Sequence, residues 1–275
     1  MSNQLNIQEN SPLLWLRSFP ELQPDDNKYT RGHAVIFGGD LMTGAARLAA
    51  RAAARVGAGI VTIAVPKTVF AIYAQSLLSI MVRPLSSSQA FADLLCNQKI
   101  SAYLIGPGAG AGIHAHVLKL LNTKKPVVLD ADALTVFEND SSFLFENIQG
   151  PVVITPHEGE FERIFNVSGS RVDRALSAAQ LSQAIIVLKG SATIIATPDG
   201  RVVINRNAPP TLATAGSGDV LSGIITGLLA QKMEPFLAAC AAVWLHGEAA
   251  NIFGVGLIAE DLPDLLPKIL QQLKQ

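Results

Sequence analysis

From Gly32 onward, short apolar runs typical of buried strands alternate with stretches of helical periodicity. His33–Phe37, Gly59–Val65 and Ile185–Leu188 are such runs, and they contain few polar side chains. Continuous apolar strands separated by helices indicate βαβ units, in which helices cover both faces of a parallel sheet. The sequence therefore predicts an α/β fold with a mainly parallel central sheet and helices on both faces.

Two later strand-like runs differ from this pattern because a short turn joins them. Thr193–Ala196 and Val202–Ile204 flank the sequence Pro198-Asp199-Gly200, whose residue types favour a tight turn. Strands joined so closely must run antiparallel. We therefore expect a small antiparallel hairpin at the edge of the sheet.

The chain before this alternation has a different character. Residues 1–30 are polar and contain three prolines, so we interpret them as an N-terminal arm with one short helix. Residues 31–275 contain no internal repeat, low-complexity tract or linker, which predicts a single domain. Within this domain, Thr43–Val56 is predicted to be an Ala-rich helix with Thr43 at its N-cap.

The composition disfavours several classes of protein. Hydrophobic residues make up 49% of the 275 residues, enough for a sizeable core. The net charge of −1 gives no electrostatic basis for binding nucleic acid or an anionic membrane, and 6% aromatic residues disfavour a base-stacking surface. Cys96 and Cys240 form neither a CxxC pair nor a metal-ligand spacing. With no secretory pattern at the N-terminus, these features predict a cytoplasmic protein.

The sequence Gly216-Ser217-Gly218-Asp219 precedes the apolar helical stretch Val220–Ile225. Two glycines one residue apart let backbone N–H groups turn outward at the start of a helix, where the helix dipole is positive. Such a helix end binds anions, phosphates above all. Asp219 is then either an acidic residue that favours the helix start or a base held beside a phosphate.

Five predicted strands end in glycine or polar residues, and ligands of open α/β sheets bind beyond the carboxyl ends of strands. These ends are Gly38-Gly39-Asp40, Gly106-Pro107-Gly108, Asp130-Ala131-Asp132, His157-Glu158-Gly159-Glu160 and Lys189-Gly190-Ser191. Any one of these clusters by itself is more often an ordinary turn. Together with the anion site at Gly218, they predict a binding site along one edge of the sheet.

The acidic residues and the histidine in these clusters each have two interpretations. Glu158 and Glu160 favour the start of the helix that they open, or one of them holds Mg²⁺ through water. His157 is a hydrogen-bonded surface residue or a contact to substrate. Asp132 is interpreted first as a helix cap.

The motifs at these positions resemble those of the ADP-dependent NAD(P)H-hydrate dehydratases, a family of the ribokinase-like superfamily. They are Gly44-Ala45-Ala46, Gly106-Pro107-Gly108, Asp130-Ala131-Asp132-Ala133-Leu134, Thr155-Pro156-His157-Glu158-Gly159-Glu160, Val187-Leu188-Lys189-Gly190 and Gly216-Ser217-Gly218-Asp219. Ser217 is a departure, because Thr is more frequent there in the family. The resemblance covers Gly32 to the C-terminus and implies a ribokinase-like fold. It also implies a stand-alone dehydratase, without the epimerase domain that is fused in many relatives.

The resemblance implies an activity that repairs hydrated NAD(P)H, the (6S)-NADHX and NADPHX. In these molecules water has added across a double bond of the dihydronicotinamide ring. The family uses ADP, or ATP in its place, to phosphorylate the resulting hydroxyl; phosphate then leaves, and NAD(P)H, AMP and phosphate result. Mg²⁺ is implied as the metal, with Glu160 as a candidate ligand through water, and a homotetramer is implied as the assembly.

The resemblance also implies roles for individual residues, taken position by position from the motifs. The residues implied to contact the hydrate are Ala45, Gly108, His157 and Asp219. The residues implied to contact the adenine nucleotide are Lys189, Gly190, Ser191, Ala192, Thr193 and Gly218. Asp219 is implied to be the catalytic base, while the amides of Gly216, Ser217 and Gly218 stabilise the transferred phosphoryl group.

Two other functions are consistent with the same residues. A ribokinase-like kinase of a small molecule, such as a hydroxymethylpyrimidine or a hydroxyethylthiazole, would use the same glycine loop but leave the phosphate on its product. A non-catalytic nucleotide-binding sensor would need the loop but not the carboxylate. Asp219→Asn would therefore leave a sensor functional and slow either enzyme by orders of magnitude.

Overall fold

The structure, a computed structural model, describes residues 7–274, so residues 1–6 of the predicted arm and residue 275 lie outside the described residues. The described strands are β1 (Ile7–Glu9), β2 (His33–Phe37), β3 (Ile60–Pro66), β4 (Met81–Leu85), β5 (Ala102–Ile105), β6 (Val127–Leu129), β7 (Val152–Ile154), β8 (Ile185–Leu188), β9 (Thr193–Ala196) and β10 (Val202–Asn205). They form one sheet in the order β1-β10-β9-β8-β7-β6-β5-β2-β3-β4.

The sheet is mainly parallel, as predicted. Strand β9 runs antiparallel to β8 and to β10, and every other neighbouring pair is parallel. The predicted hairpin of β9 and β10 is confirmed at that end of the sheet. Strand β1 pairs with the outer side of β10, with Ile7 opposite Val202. A segment of the polar arm therefore supplies the outermost strand.

The described α-helices are α1 (Pro12–Trp15), α2 (Thr43–Arg55), α3 (Phe70–Ser76), α4 (Ser88–Leu95), α5 (His114–Leu121), α6 (Asp132–Thr135), α7 (Ser141–Glu146), α8 (Glu158–Ile164), α9 (Arg171–Ser182), α10 (Ser217–Ala230), α11 (Pro235–Phe253) and α12 (Leu262–Gln272). Helices α2, α10, α11 and α12 bury apolar side chains against one face of the sheet, and α4, α5, α8 and α9 cover the other. The N-terminal arm contributes to the core on the side of the sheet that α2, α10, α11 and α12 cover. Its Trp15 is fully buried there, and the ring of Trp15 lies 5.8 Å from that of Trp244.

Small residues bring α2 and α10 into backbone contact. A Cβ atom placed on Gly223 would lie 2.2 Å from the carbonyl oxygen of Ala49, and one on Gly227 would lie 2.7 Å from that of Ala53. Such close approach requires glycine at these two positions of α10. The contact fixes the direction of α10, whose first turn carries Asp219.

Some local predictions were wrong or incomplete. Thr43 is the first residue of α2 and not its N-cap, which is Met42 without a side-chain hydrogen bond. The Thr43 hydroxyl instead accepts a hydrogen bond from the Arg47 guanidinium at 3.0 Å. Strand β4 and helix α4 were not predicted, because the sequence Met-Val-Arg-Pro-Leu of β4 lacks an uninterrupted apolar run.

Helix α11 is the one helix of residues 7–274 that is long and apolar enough to cross a bilayer. In this structure 67% of its most apolar stretch is buried. It contacts α10, α12 and several strands. Its apolar character is thus used in the core of the fold.

Candidate active site

The carboxyl ends of the parallel strands place the predicted clusters along one edge of the sheet. Strands β8, β7, β6, β5 and β2 are consecutive neighbours, so the loops that follow them lie side by side. Glycines make the loops fit together: a Cβ atom on Gly39 would lie 1.8 Å from the carbonyl oxygen of Gly108, and one on Gly106 would lie 1.6 Å from that of Asp130. The five strand ends are therefore contiguous, as the sequence predicted.

The glycine loop forms the start of α10, as predicted. Gly216 occupies the N-cap position with a φ of 87°, and no side chain in the described part of the chain caps the helix. The Ser217 amide makes only a long contact of 3.4 Å to the carbonyl oxygen of Thr214. The Gly218 amide has no acceptor among residues 7–274. This helix end therefore offers free N–H donors to an anion.

Ser217 keeps the hydroxyl that the family more often obtains from Thr. This hydroxyl donates a hydrogen bond of 2.8 Å to the carbonyl oxygen of Leu212. The interaction ties the first turn of α10 to the segment that precedes the loop. Ser217 thus stabilises the loop through its side chain while its amide lies at the helix end.

Lys189 lies opposite the glycine loop in a group of carboxylates. Its ammonium is 2.9 Å from Asp130 Oδ1 and 3.7 Å from Glu160 Oε2. A Cβ atom on Gly218 would lie 3.5 Å from Lys189 Nζ, so this ammonium directly faces the first turn of α10. Burial lowers the pKa of Lys189, but the charges of Asp130 and Glu160 outweigh it and raise the pKa above its usual value. Lys189 is therefore a permanent cation beside the anion site.

Asp219 has the properties of a base poised near neutral pH. Burial raises the pKa of its carboxyl to about 7, and the negative charge of Asp130 adds to this shift. The charge of Lys189 opposes the increase, while Asp132 and Glu160 act in the same direction as burial. A carboxylate that only favours a helix start gains nothing from such a shift, whereas a general base works best with a pKa near the operating pH.

His157 and Glu160 form a reciprocal cap at the start of α8. The Glu160 amide donates to His157 Nδ1 at 3.2 Å, and the His157 amide donates to Glu160 Oε2 at 2.8 Å. The His157 side chain is 56% exposed, so the ring still faces solvent at the edge of the sheet. The structural interpretation of both residues is thus correct. Both ring nitrogens of His157 face Glu160, since Nε2 also lies 3.4 Å from Glu160 Oε1, and the exposed part of the ring is open to a ligand.

Ala45 and Gly108 come together on the other side of the site. A Cβ atom on Gly108, whose φ is 61°, would lie 3.3 Å from the Cβ of Ala45. The loop that contains Gly108 is held by Asp132, whose Oδ2 accepts a hydrogen bond of 2.8 Å from the Gly110 amide. The prediction of Asp132 as a helix cap was wrong: it is the first residue of α6, whose N-cap is Ala131 without a side-chain hydrogen bond. Its carboxylate positions the loop instead.

A cavity of about 450 Å³ lies between the glycine loop and the loop after β8. We call it the nucleotide cavity. Five of the six residues predicted to contact the nucleotide line it, namely Lys189, Gly190, Ser191, Thr193 and Gly218. Its apolar walls come from Pro209, Leu212, Leu221 and Val243. An apolar cavity with a lysine and free amides at one end suits an adenine base attached to phosphates.

Ala192, the sixth predicted residue, does not line this cavity, and Arg171 explains its position. The Arg171 guanidinium donates to the carbonyl oxygens of Ala192 at 2.6 Å and of Lys189 at 3.1 Å. It also pairs with the Glu158 carboxylate. Arg171 therefore fixes the shape of the loop after β8. The sequence did not single it out, because a lone arginine in a helix carries no pattern.

His246 is a second residue that sequence reasoning missed. It lines the nucleotide cavity from α11 and is 8% exposed. Burial lowers its pKa to about 4, so the ring is neutral at pH 7. Because it lies in an apolar helix, only the tertiary structure identifies it as part of the site.

Within residues 7–274, no three His, Cys, Asp or Glu side chains converge into a metal cage. A nucleotide-bound Mg²⁺ does not require one, because it keeps several waters and takes one or two carboxylates together with phosphate oxygens. Burial is the main cause of the raised pKa of Asp219, and the charges of Asp130, Asp132 and Glu160 add to it, so several carboxylates lie near the glycine loop. The donor set therefore fits a hydrated Mg²⁺ brought by a nucleotide.

The fold is that of the ribokinase-like proteins. A ribokinase of Arabidopsis thaliana superposes with a TM-score of 0.60 at 12% identity, over 89% of this chain and 99% of that one. The similarity at that identity concerns the fold alone. The fold and the helix-end anion site together define a ribokinase-like α/β protein.

Sequence comparisons narrow this class. The profile of the NAD(P)H-hydrate dehydratase family matches residues 33–272. An ADP-dependent (S)-NAD(P)H-hydrate dehydratase of Neisseria meningitidis serogroup B is 36% identical over 86% of this chain and 84% of its own length. The chain belongs to the NAD(P)H-hydrate dehydratase family.

Two further comparisons agree with this assignment. An ADP/ATP-dependent NAD(P)H-hydrate dehydratase of Bacillus subtilis, co-crystallised with ATP and Mg²⁺, has a TM-score of 0.86 and 30% identity, over 98% of this chain and 99% of that one. A bifunctional NAD(P)H-hydrate repair enzyme of Salinibacter ruber is 39% identical over 91% of this chain. The chain spans about half the length of the bifunctional relatives that it matches.

Proposed function

We propose that the protein dehydrates (6S)-hydrated NADH and NADPH with the consumption of ADP, which becomes AMP and phosphate. The observation that carries this proposal is Asp219, a carboxyl with a pKa of about 7 in the same helical turn as the free amide of Gly218. A base and an anion site so close together suit transfer of a phosphoryl group to a hydroxyl. The proposal rests on this arrangement together with membership of the family.

The reaction would proceed in two stages. In the first, Asp219 takes the proton of the hydrate's hydroxyl, and that oxygen attacks the terminal phosphorus of the nucleotide. The bond from phosphorus to the bridging oxygen breaks, AMP leaves, and the helix-end amides stabilise charge on the transferred group. In the second stage, the ring nitrogen expels phosphate and the ring loses a proton, which restores the double bond.

The remaining predicted residues would bind the two substrates on either side of Asp219. Lys189 offsets phosphate charge, and the loop Gly190–Thr193 with Gly218 borders the nucleotide. Ala45, Gly108 and His157 would contact the hydrate. Mg²⁺, held by phosphates and by Glu160 through water, would supply charge neutralisation for the transferred phosphoryl group.

We propose that the protein works in the cytoplasm as a homotetramer. The two cysteines, Cys96 and Cys240, are both free thiols, which suits a reducing compartment. Leu41, Leu78 and Val255 are almost fully exposed, and large exposed apolar side chains are typical of interfaces. Light scattering coupled to size exclusion would test the assembly, and a monomer at micromolar concentration would contradict it.

One assay tests the activity. The protein is mixed with NADH hydrate, Mg²⁺ and either ADP or ATP, and recovery of the dihydronicotinamide absorbance is followed with release of phosphate. We expect recovery that depends on a nucleotide and stops with Asp219→Asn. A protein that instead leaves phosphate on a vitamin precursor, and ignores the hydrate, would be a kinase. Nucleotide binding without either reaction would indicate a sensor.

A further inference from the structure

A second cavity, of about 290 Å³, lies at the same edge of the sheet as the active site. It opens at the carboxyl ends of β2, β3, β4 and β5, where Phe37, Ala64, Leu85 and Ile105 contribute to its walls. None of the residues implied by the family motifs lines it. We call it the second cavity, and its position relative to Asp219 indicates what it binds.

The nucleotide cavity and the second cavity lie on opposite sides of the reacting carboxylate. The nucleotide cavity begins at Lys189 and Thr193, which belong to the ends of β8 and β9. The charges next to Asp219 come from Lys189 after β8 and Asp130 after β6. The second cavity begins at β5 and extends to β4, on the far side of β6. The phosphoryl donor therefore lies on the β8 and β9 side of Asp219. The part of the sheet edge on the other side of Asp219 is left for the hydrate, which accepts the phosphoryl group.

The distance from the reacting carboxylate to the second cavity suits a dinucleotide. Strands β6 and β2 are separated only by β5, and neighbouring strands are about 4.8 Å apart, which gives roughly 10 Å along the edge. A dinucleotide joins its two riboses through a pyrophosphate, and this linkage easily spans such a distance. The second cavity adjoins the residues implied to contact the hydrate, because Ala109 lines it and follows Gly108, where an added Cβ atom would lie 3.3 Å from the Cβ of Ala45.

The walls of the second cavity suit an aromatic base. The rings of Phe37 and Phe91 lie 5.4 Å apart, and the imidazole of His116 lies 4.4 Å from Phe91. All three line the cavity, while the hydroxyls of Ser86 and Ser88 lie at its exposed rim. Flat apolar rings beside a few polar groups are the usual composition of a site for a nucleoside.

We infer that the second cavity is the subsite for the adenosine half of the hydrated dinucleotide, on the opposite side of Asp219 from the adenine of the phosphoryl donor. This inference rests on the proposed function. It means that the enzyme holds two adenine groups in two separate cavities. Recognition of the whole dinucleotide then depends on residues outside the family motifs, such as Ser86, Phe91 and His116.

The experiment fills the rim of the second cavity without touching the catalytic residues. Ser86→Trp places a large side chain at the rim, and Gln89→Trp is the matched control, since Gln89 is exposed on α4 but does not line the cavity. Each variant is assayed with NADH hydrate and with the hydrate of reduced nicotinamide mononucleotide, which lacks the adenosine half.

We expect Ser86→Trp to raise KM for NADH hydrate at least about tenfold, the effect of losing one modest contact. KM for ADP and all constants for the truncated hydrate should stay unchanged. Gln89→Trp should behave as the wild type. Equal KM values for NADH hydrate in both variants, or a wild-type enzyme that uses the truncated hydrate as efficiently as the full one, would overturn the inference.

A binding measurement separates this inference from the proposed function. With ADP at saturation, NAD⁺ is titrated into the protein by calorimetry, and nicotinamide mononucleotide serves as the probe without adenosine. We expect Ser86→Trp to weaken NAD⁺ about tenfold and to leave the mononucleotide unchanged. If neither the wild type nor the two variants turn over either hydrate, the proposed function is wrong. The titration still shows whether the second cavity binds the adenosine half. Equal NAD⁺ affinity in Ser86→Trp and Gln89→Trp would rule it out.

Discussion

Lys189 Nζ lies 2.9 Å from Asp130 Oδ1, and this pair joins the ends of two strands, β8 and β6, that are not neighbours in the sheet. The Asp130 side chain is 2% exposed and that of Lys189 is 20% exposed. A buried pair of this kind is costly to break, because the remaining charge has no water around it. The pair also sets the potential at Asp219, since Asp130 raises the pKa of that carboxyl and Lys189 lowers it.

Asp219→Asn should lower kcat by a factor of about 10² to 10⁴, the usual contribution of a general base. The dissociation constant of ADP should change little, because the amide side chain keeps the shape of the turn. Asp173→Asn is the control: Asp173 is a first-turn carboxylate that caps α9 through Ser170. If both substitutions leave kcat unchanged, Asp219 only favours the helix start.

The same substitution should stabilise the fold at alkaline pH. The pKa of Asp219 is about 7 in the folded protein, against 3.8 as its ordinary value, so the folded state binds the proton more tightly. Stability from this group is present at low pH and is lost as pH rises towards 7. Asp219→Asn removes that loss. Urea unfolding should show that its advantage over the wild type grows by about 2 kcal/mol between pH 5 and pH 8.

The pH profile of kcat/KM should have an acidic limb near pH 7, because Asp219 must be ionised to accept a proton. Asp130→Asn removes a neighbouring negative charge and frees Lys189 to favour the ionised form. The limb should therefore move to lower pH, by about 1 unit. A limb that stays in place or moves upward would show that another group controls the rate.

Arg171→Lys should raise KM for ADP by about tenfold and leave the KM for the hydrate unchanged. A lysine carries one ammonium and cannot reproduce the planar fork that reaches the carbonyl oxygens of Ala192 and Lys189 together. Arg174→Lys is the matched control, because Arg174 binds the same Glu158 but is not paired with those carbonyl groups. Steady-state kinetics with each substrate varied in turn would check the difference.

Gly223→Ala should lower the stability of the fold, whereas Gly218→Ala should leave the stability unchanged and lower the rate of turnover. A Cβ atom at Gly223 would lie 2.2 Å from the Ala49 carbonyl oxygen, so the substitution should cost about 1–3 kcal/mol. A Cβ atom at Gly218 meets only Lys189 Nζ at 3.5 Å, an ordinary contact, so the fold should tolerate it. The new methyl group would occupy the phosphate site and slow turnover. Thermal unfolding and rates measured on the same samples would show the contrast.

The sequence predicted the parts of the fold that local chemistry encodes. Runs such as Ile185–Leu188 allow little other than a buried strand, and the turn Pro198-Asp199-Gly200 specifies a hairpin. Strand β4 and strand β1 were missed, because one contains an arginine and a proline and the other is short and exposed. Both strands form because they pair with a neighbouring strand, β10 for β1 and β3 for β4. The sequence of one segment does not show which strand it will lie beside.

The same division holds for the site. The sequence by itself determined the helix-end amides of 216–218, the carboxylate Asp219 and the lysine Lys189, because glycine spacing and strand ends mark them. Only the tertiary structure decided that Arg171 shapes the loop after β8, that His246 lines the nucleotide cavity and that a second cavity lies at the ends of β2 to β5. These features depend on contacts between segments far apart in the chain, and the pKa of Asp219 depends on charges brought together from three strand ends.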